Sequence, residues 1–183
     1  MRITALQLDP ISPLQSFGHQ IIADCFGGDV SVGLASQNKK GTVRLSLTEA
    51  GRTDPLLGPL ILEPVVVESH HDAVVSLPPG AQLLGSSAHC PIQAMRLGPI
   101  VSVQFYPECA PDVAGQWAAR SNYDATTVAH DLSRHVDRLT HTGDTLATGS
   151  FHAPPGVAVV AVGISDFAYH LLDPTSSTGM QHC

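Results

Sequence analysis

Three observations on this chain of 183 residues predict an α/β fold. A turn of small and polar residues, Gln15-Ser16-Phe17-Gly18-His19-Gln20, runs into a short helical stretch with apolar residues at Ile21, Ile22 and Phe26, closed by Gly27-Gly28. Short alternating or β-branched runs, separated by Gly, Pro, Asp and His turns, then occupy much of residues 42–105. Two segments with helical apolar spacing follow over residues 111–139. A polar turn feeding a helix is how an α/β protein presents a reactive side chain, because the free N–H groups and the dipole at a helix N-terminus stabilise negative charge.

Taken in order, residues 3–8 alternate as one short strand before Asp9-Pro10 and Ser12-Pro13 break it. After the first helix, residues 37–41 read as a turn and residues 42–47 as a strand. Residues 48–57 read as a loop or short helix, and Pro64-Val65-Val66-Val67-Glu68 as a β-branched strand. His70-His71-Asp72 is expected to be an exposed turn, followed by a strand at Ala73-Val74-Val75. Three more strands are expected at 82–87, 92–96 and 100–105, with turns at His89-Cys90-Pro91 and Gly98-Pro99. The tip of the last, at Tyr106, is expected to meet the N-terminus of the first helix, the ligand position of an open α/β sheet. Pro111 opens one helix through residue 119, and residues 124–139 form another, with Val128, Leu132, Val136 and Leu139 on one face. Residues 143–155 are rich in Thr, Gly, Pro and Ser, and the apolar run 157–162 is too short to cross a membrane. Residues 143–183 are expected to form a flexible tail.

Composition narrows the function classes. Hydrophobic residues at 43% and charged ones at 14% suit one globular domain with a core. A net charge of −7 argues against non-specific nucleic-acid binding, which needs clustered Lys and Arg. Cys25, Cys90, Cys109 and Cys183 are widely spaced and form no metal-ligand pattern with the ten histidines, so neither a metal nor a cofactor is expected. Reduced thiols and the absence of a secretory leader pattern point to the cytoplasm.

The motifs carry a resemblance. Ser16-Phe17-Gly18-His19-Gln20, followed by Gly27-Gly28, resembles the nucleophile elbow of class I glutamine amidotransferases, where the pattern is Cys-x-Gly-His-Gln. Val103-Gln104-Phe105-Tyr106-Pro107-Glu108 resembles the family's Val-Gln-Phe-His-Pro-Glu. Between them His70-His71-Asp72, Leu77-Pro78-Pro79-Gly80 and Ser86-Ser87-Ala88-His89-Cys90-Pro91-Ile92-Gln93-Ala94 resemble loops and strands of GMP-synthase-like amidotransferases and γ-glutamyl peptidases, in the family's order. The resemblance implies a flavodoxin-like amidotransferase sheet with flanking helices over residues 1–142, lacking the first strands and the Gly-bearing loop that supplies part of the oxyanion hole. A sheet short of those strands has an open edge that invites a homodimer or a partner protein. An incomplete or shortened product is the corresponding expectation for the chain itself.

Two departures govern the chemistry that the resemblance implies. Ser16 stands where the family has its nucleophilic Cys, and Tyr106 where it has its His base; only Glu108, which orients that His, is kept. A cysteine becomes a thiolate with help from a helix N-terminus and a nearby imidazole. A serine hydroxyl needs a base to take its proton, and a phenol, with a pKa of about 10, is a donor at neutral pH. Ser16 is therefore read as a helix N-cap, with a working nucleophile as the alternative. Gly18, His19 and Gln20 are expected to line a pocket for glutamine or a γ-glutamyl ligand, and His71 is the candidate replacement base or substrate contact, oriented by Asp72 or Glu108. Cys25 is read as a core thiol. The expected protein is a class I amidotransferase-like domain that keeps the cleft and has lost the chemistry. Its alternatives are a hydrolase using Ser16 with an unconventional base, and a truncated product without function.

Overall fold

The computed structural model describes residues 17–33, 39–60, 64–107, 109–120, 123–151 and 158–161. The strand expected at residues 3–8 lies outside them. The first helix, α1, spans Phe17–Cys25. It ends where Gly27, at φ 86°, turns the chain and lets the Gly28 N–H reach back to the Ala23 carbonyl at 2.8 Å. Gly28 then passes so close to Ser76 that a Cβ would lie 2.6 Å from that residue's carbonyl oxygen.

Two antiparallel ribbons and one mixed sheet follow. Strand β1 (Asp29–Ser31) pairs with β5 (Ala73–Ser76), and β2 (Lys39–Arg44) pairs with β4 (Val65–His70) along its whole length. The five-stranded sheet has the order β3 (Ser46–Leu47), β6 (Gln82–Ser86), β7 (Ala94–Leu97), β8 (Ile100–Val103) and β9 (Ala158–Ala161). Its pairings are antiparallel except that of β8 with β9, which is parallel. An isolated bridge between Val67 and Tyr106 joins β4 to the segment leaving β8. The helices are α2 (Glu49–Thr53), capped by Thr48, α3 (Pro111–Arg120), α4 (Ala125–Ser133), capped by Asp124, and α5 (Val136–Phe151).

The apolar residues gather into three clusters, and β4 lies between two of them. Val66 packs with Leu45, Leu57, Leu84, Phe105 and Leu146, while Val65 and Val67 pack with Tyr106, Ala114, Val128 and Leu132. Burial on both faces explains why β4 reads as an unbroken Val run instead of alternating. The third cluster sets Ala23 of α1 against Val74, Ile92 and Met95.

Several expectations are corrected. Lys39, Lys40 and Gly41 are strand and not turn, because β4 continues to His70 and gives them partners. His70 is accordingly buried at the end of β4, and only His71 is exposed. Residues 124–139 are two helices, separated where the His135 N–H turns back to the Leu132 carbonyl. α5 continues to Phe151, past residue 142, with Leu146 in the first cluster. Helix α1 buries a face different from the apolar one: His19, Gln20 and Ala23 are buried, whereas Ile21 and Phe26 are about half exposed at 52% and 51%. Cys25 is exposed and not a core thiol.

Candidate functional site

The buried face of α1 is polar because partners await it on three other segments. His19 places Nε2 3.2 Å from the Ile92 carbonyl and Nδ1 2.9 Å from the Ser102 hydroxyl. A carbonyl can only accept, so the proton sits on Nε2 and Nδ1 accepts from Ser102. Burial pushes the pKa of His19 down to about 4, with nearby His70 adding to the effect, so the ring is neutral at physiological pH. Both ring nitrogens are occupied within the fold, making His19 a clamp between α1, β8 and the segment entering β7.

Gln20, one residue on, donates from Nε2 to the Asp72 carbonyl at 2.9 Å and to Gln104 Oε1 at 3.3 Å. Gln104, and not Tyr106, is thus the residue through which the segment leaving β8 meets the first turn of α1. His70 reaches the same Asp72 carbonyl from β4, with Nδ1 at 3.1 Å. That geometry fixes the proton on Nδ1 and leaves Nε2 as a lone pair, buried and without a hydrogen-bond partner among the described residues. Burial again dominates its pKa, pushed down to about 4, with Lys40 and His71 adding to the shift. Lys40 donates to the Ser69 hydroxyl at 3.2 Å, and its pKa too is lowered by burial.

Below this layer, Glu68 accepts from the Ser87 hydroxyl at 2.6 Å and from Gln93 Nε2. Gln93 Nε2 also reaches the Ser87 hydroxyl at 3.1 Å. The backbone N–H of Gln104 donates to the Gln93 carbonyl at 2.8 Å, setting the two glutamines side by side. Cys90, whose backbone N–H donates to the Ser87 hydroxyl at 3.0 Å, has its thiol pushed up to about 12 by burial and then by Glu68, so it is no thiolate nucleophile.

The residues expected from sequence divide clearly. Ser16 and Glu108 lie outside the described residues. Gly18, His19 and Gln20 stand together in the first turn of α1. His71 is exposed at the turn after β4. Tyr106 is buried in the second cluster, and its hydroxyl donates to the Ser69 carbonyl at 3.4 Å. His70, Gln93 and Gln104 belong to the site without having been singled out as its residues, although each stands inside a motif block. Among the described residues no group of His, Cys, Asp and Glu is arranged to hold a metal ion, and no helix is long and apolar enough to cross a membrane.

Comparison with known proteins bears on the family and the fold. Residues 16–124 match the model of the family described as glutamine amidotransferase class-I. A GMP synthase (glutamine-hydrolyzing) subunit from Pyrococcus abyssi is 40% identical over 101 residues, covering 54% of this chain and 51% of that protein. The GMP synthase (glutamine-hydrolyzing) of Pyrobaculum aerophilum is 39% identical over 124 residues, 68% of this chain and 23% of that one. The chain thus spans about half the length of the Pyrococcus relative, and less of the longer synthase. Among solved structures, a glutamine amidotransferase from Methylobacillus flagellatus superimposes with a TM-score of 0.63 at 21% identity, over 78% of this chain and 61% of that one. A second, from Thermotoga maritima, gives 0.59 at 17% identity over 72% and 58%. At these identities the two structures speak to the fold.

Proposed function

The chain belongs to the class I glutamine amidotransferase family, and from that premise we propose that it keeps the family's cleft as a binding site for glutamine or a γ-glutamyl ligand, without thiol–imidazole hydrolysis. The observation that carries the reading is Tyr106. It stands where the resemblance puts the imidazole base, and its hydroxyl lies 3.4 Å from the Ser69 carbonyl, toward which it can act only as a donor. A hydroxyl donating its proton to a carbonyl is not poised to take one from a nucleophile. Ser16 in the place of the nucleophilic thiol compounds the loss, because serine depends on a base more than cysteine does.

A second reading, a hydrolase using Ser16 with an unconventional base, is favoured by one observation: an imidazole with an open nitrogen lies beside the first turn of α1. It belongs to His70, since His71 is exposed. A partner also belongs to the proposal. The Pyrococcus relative is named as one subunit of its synthase, and among the described residues the outer edge of β9 pairs with no strand. The free thiols of Cys25, Cys90 and Cys109 support a cytoplasmic setting.

The test is a pair of measurements on the purified full chain. Calorimetric titration with L-glutamine is expected to show binding, while glutaminase and γ-glutamyl-peptide assays show no turnover above buffer. Turnover that disappears in Ser16→Ala would establish the second reading in place of the first.

A further inference from the structure

Lys39 and Lys40 are the only lysines in the sequence, and Lys40 is placed unlike an ordinary surface amine. It stands in β2 directly across from Ser69 of β4, half-buried, and donates from Nζ to the Ser69 hydroxyl at 3.2 Å. An ammonium carries three N–H bonds, and this hydroxyl is the one acceptor it finds among the described residues. It forms no ion pair among them either. Asp131 of α4, which reaches the same strand, is taken up by Thr42, accepting from its N–H at 2.8 Å and from its hydroxyl at 2.7 Å. Those bonds tie β2 to α4, so Lys40 rides on a held strand. A charge half withdrawn from water, with no opposite charge against it, is poorly compensated, and burial accordingly lowers the pKa of this amine. The neutral amine, which suits these surroundings better, is also the nucleophilic form.

We propose that the Lys40 amine is a covalent modification site that takes an acyl group from a small activated donor, an acyl phosphate or a thioester. The Nζ lone pair attacks the donor's carbonyl carbon and forms a C–N bond. The C–O or C–S bond breaks, its electron pair leaves with the phosphate or thiolate, and the proton shed by nitrogen goes to solvent. The resulting amide is neutral and keeps a single N–H, which matches the single acceptor that Ser69 provides. The charge that burial opposes is gone. Ser69 also links the modification to the cleft, because Lys40 holds its hydroxyl while the Tyr106 hydroxyl lies 3.4 Å from its carbonyl. Acylation thus sets a neutral, bulkier group at the residue that Tyr106 faces. It also removes a positive charge near His70, whose pKa is lowered first by burial and further by that charge. None of this requires the cleft to hold glutamine.

The experiment incubates the purified full chain at neutral pH with acetyl phosphate and, in a separate arm, with acetyl-coenzyme A, and follows acetylation of each lysine by mass spectrometry. The folded chain is expected to take its first acetyl group on Lys40, at least about threefold faster than Nα-acetyl-lysine amide reacts with the same donor, since each unit of lowered pKa raises the neutral fraction about tenfold. The arm that reacts identifies the source as acyl phosphate or thioester. In denaturing guanidinium chloride the advantage is expected to vanish, because it comes from burial in the fold and not from the neighbouring charge of Lys39. Lys40→Arg is expected to abolish the fast reaction, and Lys39→Arg to keep it. Circular dichroism checks that both variants fold; if either does not, site mapping on the unaltered chain decides. First acetylation on Lys39, a Lys40 rate no higher than that of the free amine with both donors, or an advantage that survives denaturation overturns the proposal.

Discussion

His19 and His70 carry a cost that pH exposes. Each imidazole is neutral in the folded protein, with its pKa pushed from 6.5 to about 4 mainly by burial. In the unfolded chain both would titrate at about 6.5. Between those values the unfolded state holds more protons, so stability rises with pH. It is complete above pH 6.5 and is lost as the pH falls towards 4, by on the order of 3 kcal/mol for each ring. Urea unfolding at half-unit pH steps is expected to show the midpoint falling across that window, and a flat profile would contradict the assignment. Ser102→Ala removes the donor to His19 Nδ1 and is expected to cost about 1–3 kcal/mol at neutral pH, read by the same method. The triad positions give a separate expectation. Ser16→Cys alone should produce no measurable glutaminase, because Tyr106 still offers a donor where a base is needed. Ser16→Cys with Tyr106→His should recover a little at most, because a non-native imidazole placed in an apolar cluster lacks the geometry of a working base. A single Cys variant with rapid turnover would refute the degenerate reading.

At the scale of elements, close approach decides more than propensity. Helix α2 has only five residues, yet it is held tightly because Gly51 lies against β6: a Cβ there would stand 1.9 Å from the Leu84 carbonyl oxygen. Gly51→Ala is therefore expected to destabilise the protein by about 1–3 kcal/mol or more, although alanine is the better helix former. A thermal melt of the variant checks this, and an unchanged midpoint would show that α2 moves freely. Such contacts mark the limit of what the chain reveals before it is folded. The Val65-Val66-Val67 run announces β4 through local chemistry, and α2 and α4 begin about where expected, next to Thr48 and Asp124, which the structure shows as their caps. The extension of β4 to His70 was hidden, because it depends on pairing with Lys39 in a segment that reads as a turn. The site divides the same way. Gly18, His19 and Gln20 are legible in a contiguous motif, whereas Gln93 acquires its role from Glu68, in another strand, and His70 from its burial at the end of β4. The inverted face of α1 has the same cause: His19 and Gln20 are inside because their partners Ser102 and Gln104 lie more than 80 residues away.

For the whole molecule, the decisive feature is that β9 returns from the far end of the described chain to lie parallel to β8, pairing Ile100 with Ala158 and Val103 with Ala161. Among the described residues this is the sole parallel pairing, and it covers the edge of β8 that would otherwise leave a row of N–H and C=O groups unpaired. Helix α1 packs over both strands, so the same return supports the helix that carries His19 and Gln20. The surface around α1 is already rich in exposed apolar side chains, with Ile21, Phe26 and Val75 about half exposed and Val32 at 80%. Ending the chain after Phe151 would strip β9, open the β8 edge and enlarge this apolar surface at once. Because β9 lies so far along the chain from β8, closing that loop is entropically expensive, and its pairing is expected to form late in folding. The shortened variant should retain helical circular dichroism from α3 to α5 but melt at lower temperature than the full chain. In size-exclusion chromatography with light scattering it should self-associate more strongly, and its glutamine binding should weaken as α1 loses its support. If the variant matches the full chain in melting, mass and binding, β9 is not a structural part of the site, and the edge of β8 must be protected by some other contact.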